Sequence, residues 1–303
     1  MPEQQDHRRN GCDHQQIIIR KEQTHMKTID KHVLAGYNAG MERNRLRTGI
    51  GRIEFERTKE LLLERLPAPP AVIYDIGGGY GEYAWFLASL GYEVHLFDLS
   101  ETNIRMSGEL AEEYPGATLA ASAVADARSS DRPDNSADAV LLMGPLYHIT
   151  EHSERLLALE ESRRVLKDGG LLFASGINRY STLLWAASVY GTKNRLLEES
   201  SFMEMVAHEL DSGNHIKPTS GSYRGIGNSF FHNSDSLQEE LLAAEFRDTE
   251  IHGIDGCAWM VPDLDALWEN PTAREALMRT VRIVDNCKDL ISISTHLLGI
   301  SAK

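Results

Sequence analysis

Short apolar runs alternate with amphipathic stretches through most of the chain. Val72-Ile73-Tyr74-Asp75-Ile76 reads as a buried strand and runs straight into glycines at 77, 78, 79 and 81. Tyr83, Phe86, Leu87 and Leu90 then recur at helical spacing, so the pattern predicts strand, glycine turn and helix in that order. Such an element is suited to nucleotide-like ligands, because glycines admit close backbone approach and the helix start offers unpaired N–H groups.

The same rhythm continues. Val94–Asp98 predicts a second strand ending in a carboxylate, and 101–113 a helix. Thr118–Val124 is a weaker, alanine-rich strand ending at Asp126-Ala127. Asp138–Met143 is apolar enough for the centre of a parallel sheet. A helix over Glu154–Leu166, a turn at Lys167–Gly170 and a strand over Leu171–Ser175 follow. Before the glycine turn, 53–66 reads as a helix stopped by Pro67, Pro69 and Pro70. The alternation breaks over 177–233, where Leu183, Leu184, Trp185, Tyr190, Phe202, Met203, Met205 and Val206 predict a helical cap. It resumes with a helix over Ser236–Ala244 and a strand over Thr249–Ile254. A helix capped by Asn270-Pro271 runs to Asn286 with Ala273, Ala276, Leu277, Thr280, Val281 and Val284 as its apolar face, and Ser294–Ile300 is the last strand. The fold class expected is α/β: a doubly wound, mostly parallel sheet with a helical cap insertion. The expected organisation is an N-terminal extension over 1–25, disordered or upstream of the natural start, then cap helices over 26–66. A Rossmann-like domain takes 67–176 and 234–303, and a substrate-capping insertion takes 177–233.

Composition narrows the function. The net charge of −14 argues against a nucleic-acid partner, since binders of phosphate backbones normally present a basic face. Three widely spaced cysteines, Cys12, Cys257 and Cys287, fit reduced thiols in a cytoplasmic protein. No H-E-x-x-H or C-x-x-C spacing points to a metal. No apolar run is long enough to cross a membrane. The glycine spacing Asp75-x-Gly77-x-Gly79-x-Gly81 also departs from a dinucleotide fingerprint, which needs glycine at 82 where this chain has Glu82. Asp98 does not discriminate, because a carboxylate there accepts from ribose hydroxyls in either kind of site.

Taken with Asp126-Ala127, Asp138-Ala139-Val140 and Val165-Leu166-Lys167-Asp168-Gly169-Gly170, the chain resembles the class I, Rossmann-like, S-adenosylmethionine-dependent methyltransferases. Gly144-Pro145-Leu146-Tyr147-His148-Ile149 resembles a G-P-L-Y-H-L signature in a bacterial small-molecule subgroup, and Arg52–Thr58 that subgroup's N-terminal helix. One departure is Glu245, where the family commonly closes a helix with glycine. The resemblance implies a seven-stranded sheet with an antiparallel last strand. It implies S-adenosylmethionine as methyl donor and S-adenosylhomocysteine as product. By the same resemblance Gly77, Gly79 and Gly81 pass under the methionine moiety and ribose, Asp98 binds the ribose hydroxyls, and Leu99 lies against adenine. Asp126 and the Ala127 backbone read the adenine edge, while Met143 and Gly144 line the methyl.

The chemistry needs alignment more than a triad, because methyl transfer is an in-line displacement and a base is required only for a protonated acceptor. His148 is the first candidate for that base or for orienting the acceptor, against a histidine that only pins its loop. Tyr147 either packs on the cofactor or fills the core. His232 either faces the pocket from the insertion or is a loop residue, and Tyr37 either closes over the cofactor or simply packs. Asp75 orders the glycine loop or meets the cofactor's amino group. Arg57 and Glu54 contact the cofactor carboxylate or pair on a helix face. The expected function is methyl transfer to oxygen or nitrogen of a small molecule by a monomer or homodimer. The alternatives are an RNA or protein methyltransferase, an NAD-dependent oxidoreductase, or a non-catalytic S-adenosylhomocysteine-binding partner protein.

Overall fold

A computed structural model describes residues 44–303. The expected extension over 1–25 and Tyr37 lie outside these residues. The helix α1 (Ile50–Arg65) precedes β1 (Val72–Ile76), α2 (Glu82–Ser89), β2 (Glu93–Asp98), α3 (Glu101–Leu110), β3 (Ala121–Val124) and β4 (Ala137–Leu142). A single turn α4 (Pro145–His148), the helix α5 (His152–Val165) and β5 (Leu166–Ile177) complete this half. After α6 (Ser181–Ser188), α7 (Ser200–Ser212) and the short pair β6 (Asn214–His215) and β7 (Ser229–Phe230) come α8 (Ser234–Ala243) and β8 (Arg247–Gly253). The helices α9 (Leu264–Trp268) and α10 (Pro271–Val284) lead to β9 (His296–Ala302).

Seven strands form one sheet in the order β3-β2-β1-β4-β5-β9-β8, and β9 alone runs against its neighbours. The connections from β1 and β4 leave toward opposite sides, which opens a crevice at the carboxyl edge of the sheet, the usual ligand position in such folds. The sheet's two faces explain the strand sequences. Tyr74, Ile76, Val140, Leu142 and Leu172 pack on one face with Leu159, Leu237 and Phe246. Ile73, Leu96, Leu141, Phe173, Leu298 and Ile300 pack on the other with Leu61, Leu62, Tyr83 and Leu87. Burying each such side chain contributes roughly 1.5–3 kcal/mol, so the central strands are apolar on both sides of the pleat. The edge strand β3 instead alternates half-buried and exposed positions.

Several boundaries differ from the sequence reading. The turn expected at Lys167–Gly170 is drawn into β5, where a register irregularity between Ala137 and Ala139 absorbs it. In α10 the buried residues are Met278 and Val281, whereas Ala276 and Thr280 face solvent. That helix packs by a narrow stripe on the Ile53, Trp259 and Trp268 cluster rather than on the sheet. Leu90 lies beyond the last turn of α2 and is exposed. Glu245 closes α8 with a φ of 62°, the left-handed conformation that glycine fills at little cost.

Buried charge ties α1 to the C-terminal half. Arg57 donates to Asp285 (Nη2–Oδ2 2.7 Å) and to Glu60 (2.8 Å), and Arg282 closes on Glu60 at 2.6 Å. The expected Arg57–Glu54 helix-face pair does not form, since both side chains are engaged elsewhere. Within 177–233, Phe202, Met205, Val206 and Tyr223 make a small core of their own, while Trp185, Tyr190 and Met203 point outward.

Candidate active site

The site begins where β1 stops. Gly77 N donates to the Phe97 carbonyl (2.7 Å) and Gly78 N to the same oxygen (3.1 Å), which turns the chain across the end of β2. Gly77 and Gly79 hold φ of 74° and 59°, conformations costly for side-chain-bearing residues. Gly78 must be glycine for another reason: a Cβ there would stand 2.4 Å from an Asp75 carboxylate oxygen. Gly81 caps α2 at φ 81°, with Leu96 Cδ2 only 2.8 Å from where a Cβ would be.

Asp98 fastens this loop. Its carboxylate accepts from Gly79 N (2.9 Å), Ser100 N (2.8 Å) and Asn103 Nδ2 (3.0 Å). Asp75 is the opposite case. It is 1% exposed, and neither carboxylate oxygen has a hydrogen-bond partner. Burial, and then the charge of Asp98, push its pKa up to about 7. A buried carboxyl without hydrogen bonds is costly to ionise, which is why its pKa rises.

One cavity unites these groups. Asp75, Gly77, Gly79, Asp98, Leu99, Asp126, Ala127, Met143, Gly144, Tyr147 and His148 all line it. Thus the structure brings these residues together, whereas Arg57 and Glu54, also named from the sequence, are not among the lining and three others stand apart. Gly81 shapes the turn without reaching the cavity wall. Tyr37 is not among the described residues. His232 is placed elsewhere: it is fully buried, with Nε2 3.1 Å from Glu240 Oε2, and that carboxylate is also gripped by Arg155. His232 therefore ties the segment just after β7 to α8 and α5 and is not among the residues that line the cavity.

At the far rim Asp126 is held by its own neighbour. Arg128 donates from Nη2 to Asp126 Oδ2 (2.6 Å) and from Nε to Oδ1 (2.9 Å), and its other arm reaches Glu154 (2.6 Å). Burial opposes the charge on Asp126, yet these bonds keep its carboxyl below the usual range. On the opposite wall His148 stacks edge-on against Tyr147, with ring centroids 4.6 Å apart. Burial, reinforced by the nearby Arg45 cation, drives the His148 pKa down to about 3, so its imidazole is neutral near pH 7. Arg45, Tyr80, Glu82, Pro145 and Arg128 line the cavity without having been singled out from the sequence. Arg128 had a local signal, two residues after a carboxylate. Arg45 had none, because its partner Glu54 lies in the next helix. Among the described residues no cluster suited to a metal ion is present.

Known proteins share this fold. Residues 74–174 match the family model described as a methyltransferase domain. Over 193 residues the chain is 29% identical to the ubiquinone/menaquinone biosynthesis C-methyltransferase UbiE of Acidiphilium cryptum (strain JF-5), covering 63% of this chain and 72% of that one. A solved S-adenosylmethionine-dependent methyltransferase from Methanosarcina mazei superposes with a TM-score of 0.53 at 19% identity, over 80% of this chain and 96% of that one. A possible histamine N-methyltransferase from Thermotoga maritima gives 0.53 at 16% identity, over 90% and 99% of the two chains.

Proposed function

Since the chain is a class I S-adenosylmethionine-dependent methyltransferase, we propose that it methylates oxygen or nitrogen of a small-molecule acceptor held in the cavity above Met143 and Gly144. The observation that carries the cofactor assignment is the unpartnered Asp75 carboxyl under the glycine loop. It supplies the counter-charge for the cofactor's amino group. Gly77, Gly79 and Gly81 shape the loop that passes beneath the methionine moiety and ribose. Asp98, already oriented by three donors, takes the ribose hydroxyls, with Leu99 against adenine. Asp126, held by Arg128, and the Ala127 backbone face the adenine edge. The cofactor supplies an electrophilic methyl, and the chain's part is to align the acceptor with it and exclude water.

Tyr147 and the neutral His148 suit the acceptor side, where His148 serves as an orienting group. With a pKa near 3 it holds a transferred proton poorly. A small acceptor is favoured by the apolar walls of Leu46, Tyr83, Met143, Pro145 and Ile149 and by the acidic excess of a second pocket that shares Tyr80 and Glu82 with it, where Glu109 and Glu112 stand beside the Arg47 pairs with Glu82 and Glu113. That excess repels a phosphate backbone. Carbon is a second reading for the atom methylated, favoured by the similarity to a C-methyltransferase. Among the described residues no helix is long and apolar enough to cross a membrane. The test is calorimetric titration with S-adenosylmethionine, S-adenosylhomocysteine and NAD. Micromolar binding of the first two and none of NAD is expected, with binding lost in Asp98→Ala. Binding unchanged by that substitution would overturn the site assignment.

A further inference from the structure

Behind Arg45 lies a row of charged groups that the assignment above leaves without a task. Arg45 lines the cavity, and its guanidinium donates to both oxygens of Glu54 at 2.7 and 3.1 Å. Glu54 Oε2 lies 3.6 Å from Nδ1 of His296. The same nitrogen is 3.1 Å from Thr295 Oγ1 and 3.9 Å from Asp255 Oδ2. Thr295 gives its hydroxyl proton to Asp255, so its oxygen is left to accept. Asp255 is fully buried and fixed by the N–H groups of Thr295 (2.9 Å) and His296 (3.1 Å) and by the Ser294 hydroxyl. Every group facing Nδ1 is therefore an acceptor, which places the single proton of the neutral imidazole on Nδ1. Among the described residues no side chain or backbone group bonds Nε2, which is left as the basic nitrogen.

The sheet puts this histidine at its carboxyl edge, behind the part of the cavity wall that Arg45 forms. Leu142 is level with Ala174 and Ala174 with Gly299, and His296 stands three residues beyond Gly299 toward the carboxyl edge. It alternates in phase with Leu298 and Ile300, which pack on the same face as Leu141 and Met143. We propose that His296, oriented by Glu54, is the general base that takes the proton from the methyl acceptor. This rests on the reading of the glycine loop as the S-adenosylmethionine site. In the step the acceptor's X–H proton passes to His296 Nε2 while an X–CH3 bond forms. The S–CH3 bond breaks with its electron pair remaining on sulfur, and the imidazolium beside Glu54 later releases its proton to water.

The two histidines at this edge differ in proton affinity. Burial works against a charged His296, yet the carboxylates of Glu54 and Asp255 outweigh it and Arg45 together, and its pKa is raised above 6.5. At His148 burial, reinforced by Arg45, acts the other way and lowers the pKa. A neutral imidazole nitrogen of this kind can take the proton of a hydroxyl of phenolic or enolic acidity, whose ionisation activates the oxygen or the adjacent ring carbon. Acceptors with no proton to lose, such as tertiary amines or thioethers, are excluded.

The test uses the full chain with nitrogen-15-labelled histidine, followed by NMR from about pH 5 to about pH 9, with His296→Gln identifying the signal. The expected result is a neutral form protonated at Nδ1, a midpoint above 6.5, and a fall of about tenfold in proton affinity in Glu54→Gln. A proton on Nε2, or a midpoint indifferent to Glu54→Gln, would overturn the proposal. With a panel of substituted phenols and saturating S-adenosylmethionine, His296→Gln should lower methyl transfer about 100-fold and remove the acidic limb of the pH–rate profile. Equal turnover by the variant overturns the base, and no turnover of any phenol by the wild type overturns the acceptor class. Calorimetry with S-adenosylhomocysteine separates the two readings. Affinity unchanged in His296→Gln supports a base outside the cofactor subsite, and absence of binding in the wild type defeats the cofactor assignment instead.

Discussion

Replacing Asp75 by asparagine should remove a pH dependence that the wild-type fold carries inside its own site. Asp75 is buried, without partners, and its pKa stands at about 7 against an ordinary 3.8. The folded protein therefore keeps a proton that the unfolded chain gives up as pH rises past the ordinary value. Stability contributed by this group is present in acid and is lost progressively until the folded pKa is passed. At 1.36 kcal/mol per tenfold in proton affinity, the loss between about pH 5 and about pH 8.5 is about 3 kcal/mol. Urea denaturation of wild type and Asp75→Asn at those two pH values isolates the term, because all other titrating groups are common to both. The stability difference between the two proteins should change by about 3 kcal/mol in favour of the variant at the alkaline end. A difference that stays constant with pH would refute the reasoning, and would mean that water or the chain already solvates the carboxylate. The same carboxyl predicts that S-adenosylmethionine binding below pH 7 releases a proton, visible as a buffer-dependent heat.

Gly77→Ala places a Cβ 2.5 Å from the Pro145 ring at a φ of 74°; cofactor affinity measured by calorimetry should fall more than about tenfold, with a loss of about 1–2 kcal/mol in stability. Arg57→Ala strands Asp285 in a buried position, so denaturant unfolding should show a loss of about 3–5 kcal/mol. Glu245→Gly relieves a left-handed residue at the end of α8 and should raise stability by about 1 kcal/mol; its ion pair with Arg163, 3.4 Å and largely exposed, offsets little of that.

The sheet and the glycine loop were legible because each rests on local signals: apolar runs, turn residues and a carboxylate at a strand end. Asp98 and Asp75 could be named from their places at the end of β2 and within β1. His232 could not be judged, since what buries it is Glu240 from the following helix together with Arg155 from α5. His296 was invisible for the same reason. Its partners come from α1 and from the loop after β8, and nothing in Ser294-Thr295-His296 announces them. The apolar face of α10 was misjudged because helical spacing tells which residues share a stripe and not which stripe is covered. Where Arg45 meets Glu54, the segment just before α1 lines the cavity and the helix behind it holds the arginine.

The placement of β9 has a further consequence for how the chain is made. It follows β8 in sequence yet lies between β8 and β5, so β8 has no place in the sheet until residues 296–302 have been synthesised. A ribosome-bound chain that has extruded β1 to β5 can pair those five strands, but the open side of β5 stays bare. During that interval Leu172, Phe173 and Ala174 sit on an unpaired edge, the kind of edge that invites aggregation. His296 enters the fold with the strand that closes this gap, so the last step of sheet assembly and the completion of the proposed proton-accepting site are one event.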